Sequence, residues 1–455
     1  MKDLLEKYNK QRAAATIALN QIPRAKIDVK YSDEFSLPFS SRVYNKQYCK
    51  MYQDRLNILR GKTLNNCNKK WASKYRQVNK VLDISFGEIC WCIGSVYCEM
   101  KFKPNILEDV INDTYGAPAL VTKYSDSETD EIMLEDESGR VLLSGDLISN
   151  EKNNELFITG VVIGVLGQET VDGSFEVLEI CYPEPLNVPK SISMGNNNGR
   201  GTKVAIVSGL NIDSENFDFK RLNQLQEYLI GDLITNSEIG RLIIAGNSIS
   251  KAKSPEDFNN DISNKLTIFE KFLTNVCKSI PIDLMPGFND PSDKSWPQQP
   301  INKAIFSNSS EVYFNSEMIV NVTNPCLLYY NGVKFLGTSG ENVNDIFKYH
   351  IKKNIERINV LEATLKWQDI APTAPDTLWS YPYEDNNPFL FKSEWPKVYF
   401  VGNQPRFMFS KINLSSDPNN KDNEITCICV PEFSSTGEIV ILDLDTKDVE
   451  TVNFD

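Results

Sequence analysis

Between Asn45 and Tyr75, apolar side chains recur at helical spacing: Tyr48, Met51, Tyr52, Leu56, Leu59, Leu64, Cys67 and Trp71. Lys, Arg, Asn and Gln fill the other positions, so the segment is a one-sided amphipathic helix. On this pattern residues 1–78 form a helical N-terminal extension. Packing on its own chain is the plain use of such a stripe, and docking of a partner is the sharper one. From Val81 the period changes to that of strands. Cys90 to Cys98 is rich in Trp, Ile, Val and Tyr. Ile132 to Leu147 predicts a hairpin turning at Asp136–Glu137–Ser138–Gly139, and Glu155 to Leu166 with Ser174 to Cys181 a second, turning at Asp172–Gly173. Short strands with tight turns over 79–186 suit a small antiparallel barrel of OB type.

Residues 187–202 are poor in apolar side chains and predict a linker, with Asn196 to Gly201 at its polar centre. Over 203–455 short buried runs alternate with helical stripes. The strands are Val204–Val207, Leu242–Ala245 and Ile282–Met285. The stripes are Leu222, Leu225, Leu229, Leu233 and then Ile262, Leu266, Phe269, Leu273, Val276. Such alternation predicts a sheet covered by helices. Strand texture returns at Val398–Val401, Ile425–Val430 and Glu438–Leu444. The expected fold class is therefore α+β and multidomain.

Charge narrows the function. The 455 residues carry a formal charge of −13, which opposes strong autonomous binding to duplex DNA. Acidic residues crowd the barrel region, from Asp113 through Asp126, Glu128, Asp130 and Glu131 to Glu135, Asp136 and Glu137. They favour a protein-binding OB module over a nucleic-acid one. Lys69, Lys70, Lys74 and Arg76 form a small basic cluster, read as a solvated helix face. No apolar run is long enough to span a bilayer, and the charged start, MKDLLEKYNKQR, is unlike a secretory signal. Of the ten cysteines, Cys90 with Cys92 and Cys427 with Cys429 are i, i+2 pairs on one strand face. A zinc site needs a second close pair, and none is suitably spaced. Reduced thiols in a reducing compartment fit better.

The strands of the second half end in loops rich in Gly and Asn: VAIVSGLNI (204–212), RLIIAGNSIS (241–250), DLMPGFNDP (283–291) and KVYFVGNQPRF (397–407). Ligand groups of α/β sheets gather at such strand ends. The order of loops resembles the calcineurin-like metallophosphoesterases, which carry Asp-x-His, Gly-Asp, Gly-Asn-His-Asp/Glu and Gly-His-x-His. Here Gly209 and Asn211 stand for the first pair, and Gly246 with Asn247 for the second. Gly287, Phe288, Asn289 and Asp290 stand for the third motif, and Gly402, Asn403, Gln404 and Pro405 for the fourth. A two-metal centre needs carboxylates and imidazoles, and only Asp290 keeps a carboxylate. The chain has one histidine, His350, expected on a helix face with Val343, Phe347, Ile351 and Ile355. No His-dependent triad and no GxxxxGK[ST] phosphate loop is present. The loop Gly and Asn residues also serve as turn residues at positive φ.

Longer stretches are more specific. They include DLMPGFNDPSDKSWPQQP (283–300), FLGTSGENVNDIFKY (335–349), LKWQDIAPTAPDTLWSYPY (365–383), KVYFVGNQPRF (397–407) and PEFSSTGEIVILDL (431–444). With CWCIGSVYCEMKFKPNILEDVINDTYGAP (90–118) upstream, these resemble the small (B) accessory subunits of eukaryotic DNA polymerase delta, in their fungal form. The resemblance implies an OB-fold barrel joined to an inactive calcineurin-like α/β sandwich that binds no cofactor of its own. It also implies a nuclear role in replication and repair, through a clamp on the C-terminal domain of the catalytic subunit, where an iron–sulfur cluster or zinc is expected. Docking of the third, clamp-interacting subunit, sharing with the translesion polymerase zeta, and only indirect contact with sliding clamp and DNA are implied as well. Trp367, Trp379, Tyr381 and Tyr383 are candidate interface residues, being of types enriched in hot spots; packing their own core is the other reading. Two rival functions are an active, divergent phosphoesterase or nuclease and a stand-alone single-strand binder.

Overall fold

A computed structural model describes residues 24–104, 122–126, 128–149, 155–189, 202–213, 217–231, 237–251, 258–307, 311–349, 355–415 and 421–454. The expectations for His350, Asp113 and Asn196 to Gly201 lie outside the described residues, as do those for residues 1–23.

The predicted N-terminal helix exists as α1, Cys49–Trp71. Its buried side chains are Met51, Arg55, Leu59, Thr63, Cys67 and Trp71, a strict i, i+4 row. Two of the six are polar, so apolar spacing alone does not define the row. The helical reading of 1–78 is corrected within residues 24–48. Val29–Tyr31 is a strand, β1, that pairs antiparallel with a strand of the C-terminal half. Its alternation of Val, Lys and Tyr suits an edge strand, and a tertiary partner supplies what local periodicity does not.

Beyond α1 come β2 (Arg76–Gln77), β3 (Ile89–Glu99), β4 (Glu131–Glu135), β5 (Arg140–Ser144), β6 (Val162–Glu169) and β7 (Phe175–Cys181). The order β3-β4-β5-β7-β6 closes through β3–β6 pairing into a barrel, with β2 added beside β3. The barrel is not wholly antiparallel, because β5 and β7 run parallel. The second predicted hairpin also starts later, since 155–161 precede β6 and turn through Ile158–Val161. Alternation places Val96, Cys98, Leu134, Ile163, Val165 and Phe175 in one buried cluster. Trp91, Ile93, Val162 and Leu166 turn outward onto Leu59, Cys67 and Trp71 of α1. Cys90 and Cys92 are both buried thiols, as are Cys427 and Cys429.

The second half contains β8 (Lys203–Val207), α2 (Phe219–Ile230), β9 (Ile239–Ala245), α3 (Phe258–Val276), β10 (Ile282–Met285) and β11 (Ile319–Asn321). There follow β12 (Cys326–Tyr330), β13 (Val333–Thr338), α4 (Glu341–Lys348), α5 (Arg357–Trp367), β14 (Val398–Gln404), β15 (Met408–Asn413), β16 (Glu424–Pro431), β17 (Glu438–Asp443) and β18 (Val449–Asn453). They build two six-stranded sheets, β1-β12-β13-β14-β16-β15 and β11-β10-β9-β8-β17-β18. The sheets face each other through Val204, Ile206, Ile243, Phe335, Phe400 and Ile428. The outer face of the second sheet packs on α2 and α3 through Leu242, Ile244, Leu225 and Phe269. The outer face of the first joins Tyr399, Val401 and Cys427 to Val343, Leu361 and Leu365 of α4 and α5. The architecture is thus a four-layer α/β/β/α sandwich. The barrel interior belongs to the same buried cluster as this last layer, so barrel and sandwich share one core.

Helix α1 sits at their junction. Arg55 is 1% exposed, with Nε 2.8 Å from the buried Asp369 Oδ2. Its Nη1 donates to Pro372 O at 3.0 Å and its Nη2 to Ala374 O at 2.5 Å. Gly160 of the barrel, at φ 91°, closes the far side, where a Cβ would stand 2.0 Å from Pro372 O. The stripe of α1 is therefore used within the chain.

Candidate functional site: the strand-end loops of the sandwich

The loops singled out in the sequence do converge. Strands β8, β9 and β10 run parallel in one sheet, and β13, β14 and β16 in the other, so their C-terminal ends share an edge of the sandwich. Gly209 N donates to Gly246 O at 2.9 Å and Asn211 N to Asn247 O at 2.9 Å. Asn403 N donates to Ser208 Oγ at 2.8 Å, joining the two sheets. Asn211, Asn247 and Asn403 have φ of 44°, 53° and 54°. Asn tolerates this region better than most residues, so the turn reading accounts for the residue type.

Each amide is engaged nearby. Asn403 Nδ2 donates to Ser339 O at 2.7 Å and to Ala245 O at 3.3 Å. Asn247 Oδ1 accepts from Asn289 N at 3.1 Å. Asn211 Nδ2 donates to Glu432 Oε1 and to Ser434 Oγ, the latter at 2.9 Å. Glu432 follows β16 and lies outside the four Gly-Asn loops. A Cβ at Gly209 would lie 2.5 Å from Glu432 Cγ and 2.7 Å from Asn403 Oδ1, at φ 62°. The position where the phosphoesterase pattern has its first aspartate therefore has no room for a side chain.

Asp290, the one carboxylate kept, points into the backbone. Its Oδ1 accepts from Ser248 N at 2.8 Å and Ile249 N at 3.2 Å, and its Oδ2 from Gly287 N at 2.8 Å. It clamps the β9 and β10 loops together. Phe288 is half-exposed, with the Lys294 ammonium 5.1 Å from its ring centroid. Pro405 is exposed. Among the described residues, no group of three or more His, Cys, Asp or Glu is placed to hold a metal ion. The four motif positions offer amides and a single carboxylate spent on N–H groups, and a pair of catalytic metals does not fit that set.

Burial pushes the Asp290 carboxyl up to about 7, against the pull of the Gly287, Ile249 and Ser248 N–H donors. Its ordinary value is near 4, so between roughly pH 4 and pH 7 the folded state holds a proton that the unfolded chain has lost. The stabilising contribution is complete below about pH 4 and fades as pH rises to 7. The span corresponds to up to ~4 kcal/mol. Wild type is expected to gain stability relative to Asp290→Asn as pH falls from 7.5 to 5. Paired thermal melts check this, and a pH-independent difference refutes it.

The candidate interface aromatics part company. Trp367 and Tyr381 are buried, at 1% and 6% exposure, and pack their own core. Trp367 lies on the inner face of α5, and the Tyr381 hydroxyl accepts from Val43 N at 2.9 Å. For both, the core reading replaces the interface one. Tyr383 is half-buried against Tyr381 and Phe389. Trp379 is 47% exposed. Tyr44 and Phe39, which no sequence pattern marks, are 66% and 85% exposed. Tyr44 packs edge-on to Tyr381, and Phe39 lies under the Arg42 guanidinium. Three arginines of α1 and the barrel are paired with carboxylates: Arg60 with Glu137 at 3.1 Å, Arg76 with Glu88 at 2.8 Å and Arg140 with Glu135 at 2.7 Å. No helix among the described residues is long and apolar enough to cross a membrane.

The barrel and sandwich coincide with two known families. The family model for the OB-fold domain of the DNA polymerase delta subunit matches residues 47–180, and that for the B subunit of DNA polymerases alpha and epsilon matches residues 204–409. Together they define the class as the B-type subunits of DNA polymerases. The full-length relatives narrow the class. The DNA polymerase delta small subunit of Saccharomyces cerevisiae is 45% identical over 100% of both chains. That of Oryza sativa subsp. japonica is 32% identical over 91% of this chain and 94% of its own. DNA polymerase delta subunit 2 of Drosophila melanogaster is 32% identical over 94% of this chain and 98% of its own. The chain belongs to the DNA polymerase delta small subunit family.

Proposed function

We propose that this chain is a non-catalytic scaffold of nuclear DNA polymerase delta. It bridges the C-terminal domain of the catalytic subunit to the third subunit, in replication and repair. Sharing with polymerase zeta in translesion synthesis is part of the same reading. The observation that carries it is the state of the strand-end loops. A lattice of Asn amides and a carboxylate clamped by three N–H groups take the place of metal ligands. We read the sandwich, 203–455, as a calcineurin-like phosphoesterase scaffold that has lost its chemistry, and 79–186 as the OB module. The pairing of Arg60, Arg76 and Arg140 with carboxylates supports a protein-binding module rather than a strand-binding one. The chain binds no cofactor of its own in this reading; an iron–sulfur cluster or zinc resides in the catalytic partner. Sliding clamp and DNA are reached through the complex.

Elemental analysis with a manganese-supplemented phosphodiester assay tests the loss of chemistry. The expected result is no stoichiometric metal and no hydrolysis above the buffer rate. Stoichiometric metal, with hydrolysis abolished by Asp290→Ala, would contradict it.

A further inference from the structure

Helix α1 lies across the β6–β7 ladder with two thiols facing each other. Gly164 of β6 pairs with Cys181 of β7 and faces α1 between Val162 and Leu166. A Cβ at Gly164 would lie 2.3 Å from Cys67 Sγ and 3.5 Å from Cys181 Cβ, so the missing side chain makes the space both cysteines use. Cys67 Sγ and the Cys181 side chain therefore lie side by side in the gap at Gly164, and the Cys181 thiol donates to Tyr182 O at 3.7 Å. Cys181 also lines a surface pocket of about 200 Å³, beside Lys70, Lys366, Asn66 and Tyr182. A small oxidant that enters this pocket meets Cys181, 2% exposed, before the fully buried Cys67.

We propose that Cys67 and Cys181 are an oxidation-sensitive thiol pair, a modification site at which a peroxide forms a disulfide that ties α1 to the barrel. Hydrogen bonding with the neighbouring Cys67 thiol and the nearby Lys70 ammonium hold the Cys181 thiol below the usual thiol range, against burial. The same hydrogen bond, with burial, raises Cys67. The roles follow, because the thiolate is the nucleophile and a neighbouring thiol resolves its oxidised product. The Cys181 thiolate attacks one peroxide oxygen; the O–O bond breaks, and the leaving oxygen takes up a proton and departs as water. Cys67 loses its proton and attacks the sulfenic sulfur; the S–S bond forms, the S–O bond breaks, and a second water leaves. The two thiols lose two electrons and two protons, and one peroxide is reduced to two waters.

The test uses the purified full-length chain. It is treated with hydrogen peroxide in rising molar ratio, quenched with N-ethylmaleimide in denaturant and mapped by peptide mass spectrometry. The expected result is a Cys67–Cys181 linked peptide that grows as both free peptides decline. In Cys67→Ser the link is lost and dimedone labels Cys181. Both cysteines still fully alkylated when other cysteines have oxidised, or Cys181 linked elsewhere, would overturn the proposal. The wild-type chain alone decides between these outcomes, whether or not the variant folds.

Discussion

Replacing Arg55 with leucine is expected to destabilise the folded chain by roughly 3–5 kcal/mol, the range for removing one partner of a buried ion pair. Arg55 and Asp369 are each 1% exposed at the side chain and lie 2.8 Å apart. Without the guanidinium, Asp369 keeps the Ala371 N–H at 2.9 Å but no cation. The carbonyls of Pro372 and Ala374 lose their donors at the same time. These carbonyls belong to the loop that meets Gly160 of the barrel, so the loss falls on the contact between barrel and sandwich. Arg55→Lys keeps the charge but not the planar fork, and is expected to lose less. Arg55→Leu combined with Asp369→Leu removes both charges and is expected to recover part of the loss. Urea unfolding measures all three. A change below about 1 kcal/mol for Arg55→Leu would show that the junction does not depend on this pair.

A second large loss is expected for Asp283→Ala, again roughly 3–5 kcal/mol. Asp283 is fully buried on β10. It accepts from Arg241 Nη2 of β9 at 2.8 Å, from Tyr330 of β12 at 2.6 Å and from Tyr31 of β1 at 2.7 Å. One carboxylate thus joins the two sheets and fixes β1, the strand that precedes α1. Burial and the Asp283 charge raise both phenols well above the tyrosine range, so they remain donors. Alanine leaves a buried guanidinium and two phenols without their acceptor. Asp283→Asn keeps one acceptor oxygen and the shape, and is expected to lose less. No loss for Asp283→Asn in urea unfolding would show that the charge contributes nothing there, and no loss for Asp283→Ala would contradict the bridging role.

Helix α1 and the strands leading to the Gly-Asn loops were legible because their periodicity is local. The partners of those elements were not. Arg55 and Thr63 occupy the buried row of α1, and nothing in a hydrophobic pattern ranks a buried arginine above an exposed one. Apolar runs alone do not isolate β12 and β13, although Asn331-Gly332 between them, at φ 48° and 78°, is a strong hairpin signal. The strand-end residues were legible by type, since Asn and Gly at loop ends announce positive φ. Their convergence depends on parallel register in two sheets, and Glu432 reaches Asn211 only through that register. Among the aromatics, residue type could not separate the buried Trp367 from the exposed Trp379. Burial is decided by which face of α5 meets the sheet.

An affinity-tagged form of this chain, recovered from nuclear extract and identified by mass spectrometry, tests the scaffold role most directly. The catalytic and third subunits of DNA polymerase delta are expected to co-purify with it in near-equal amounts. Recovery of the intact, folded chain with no polymerase subunit would contradict that role.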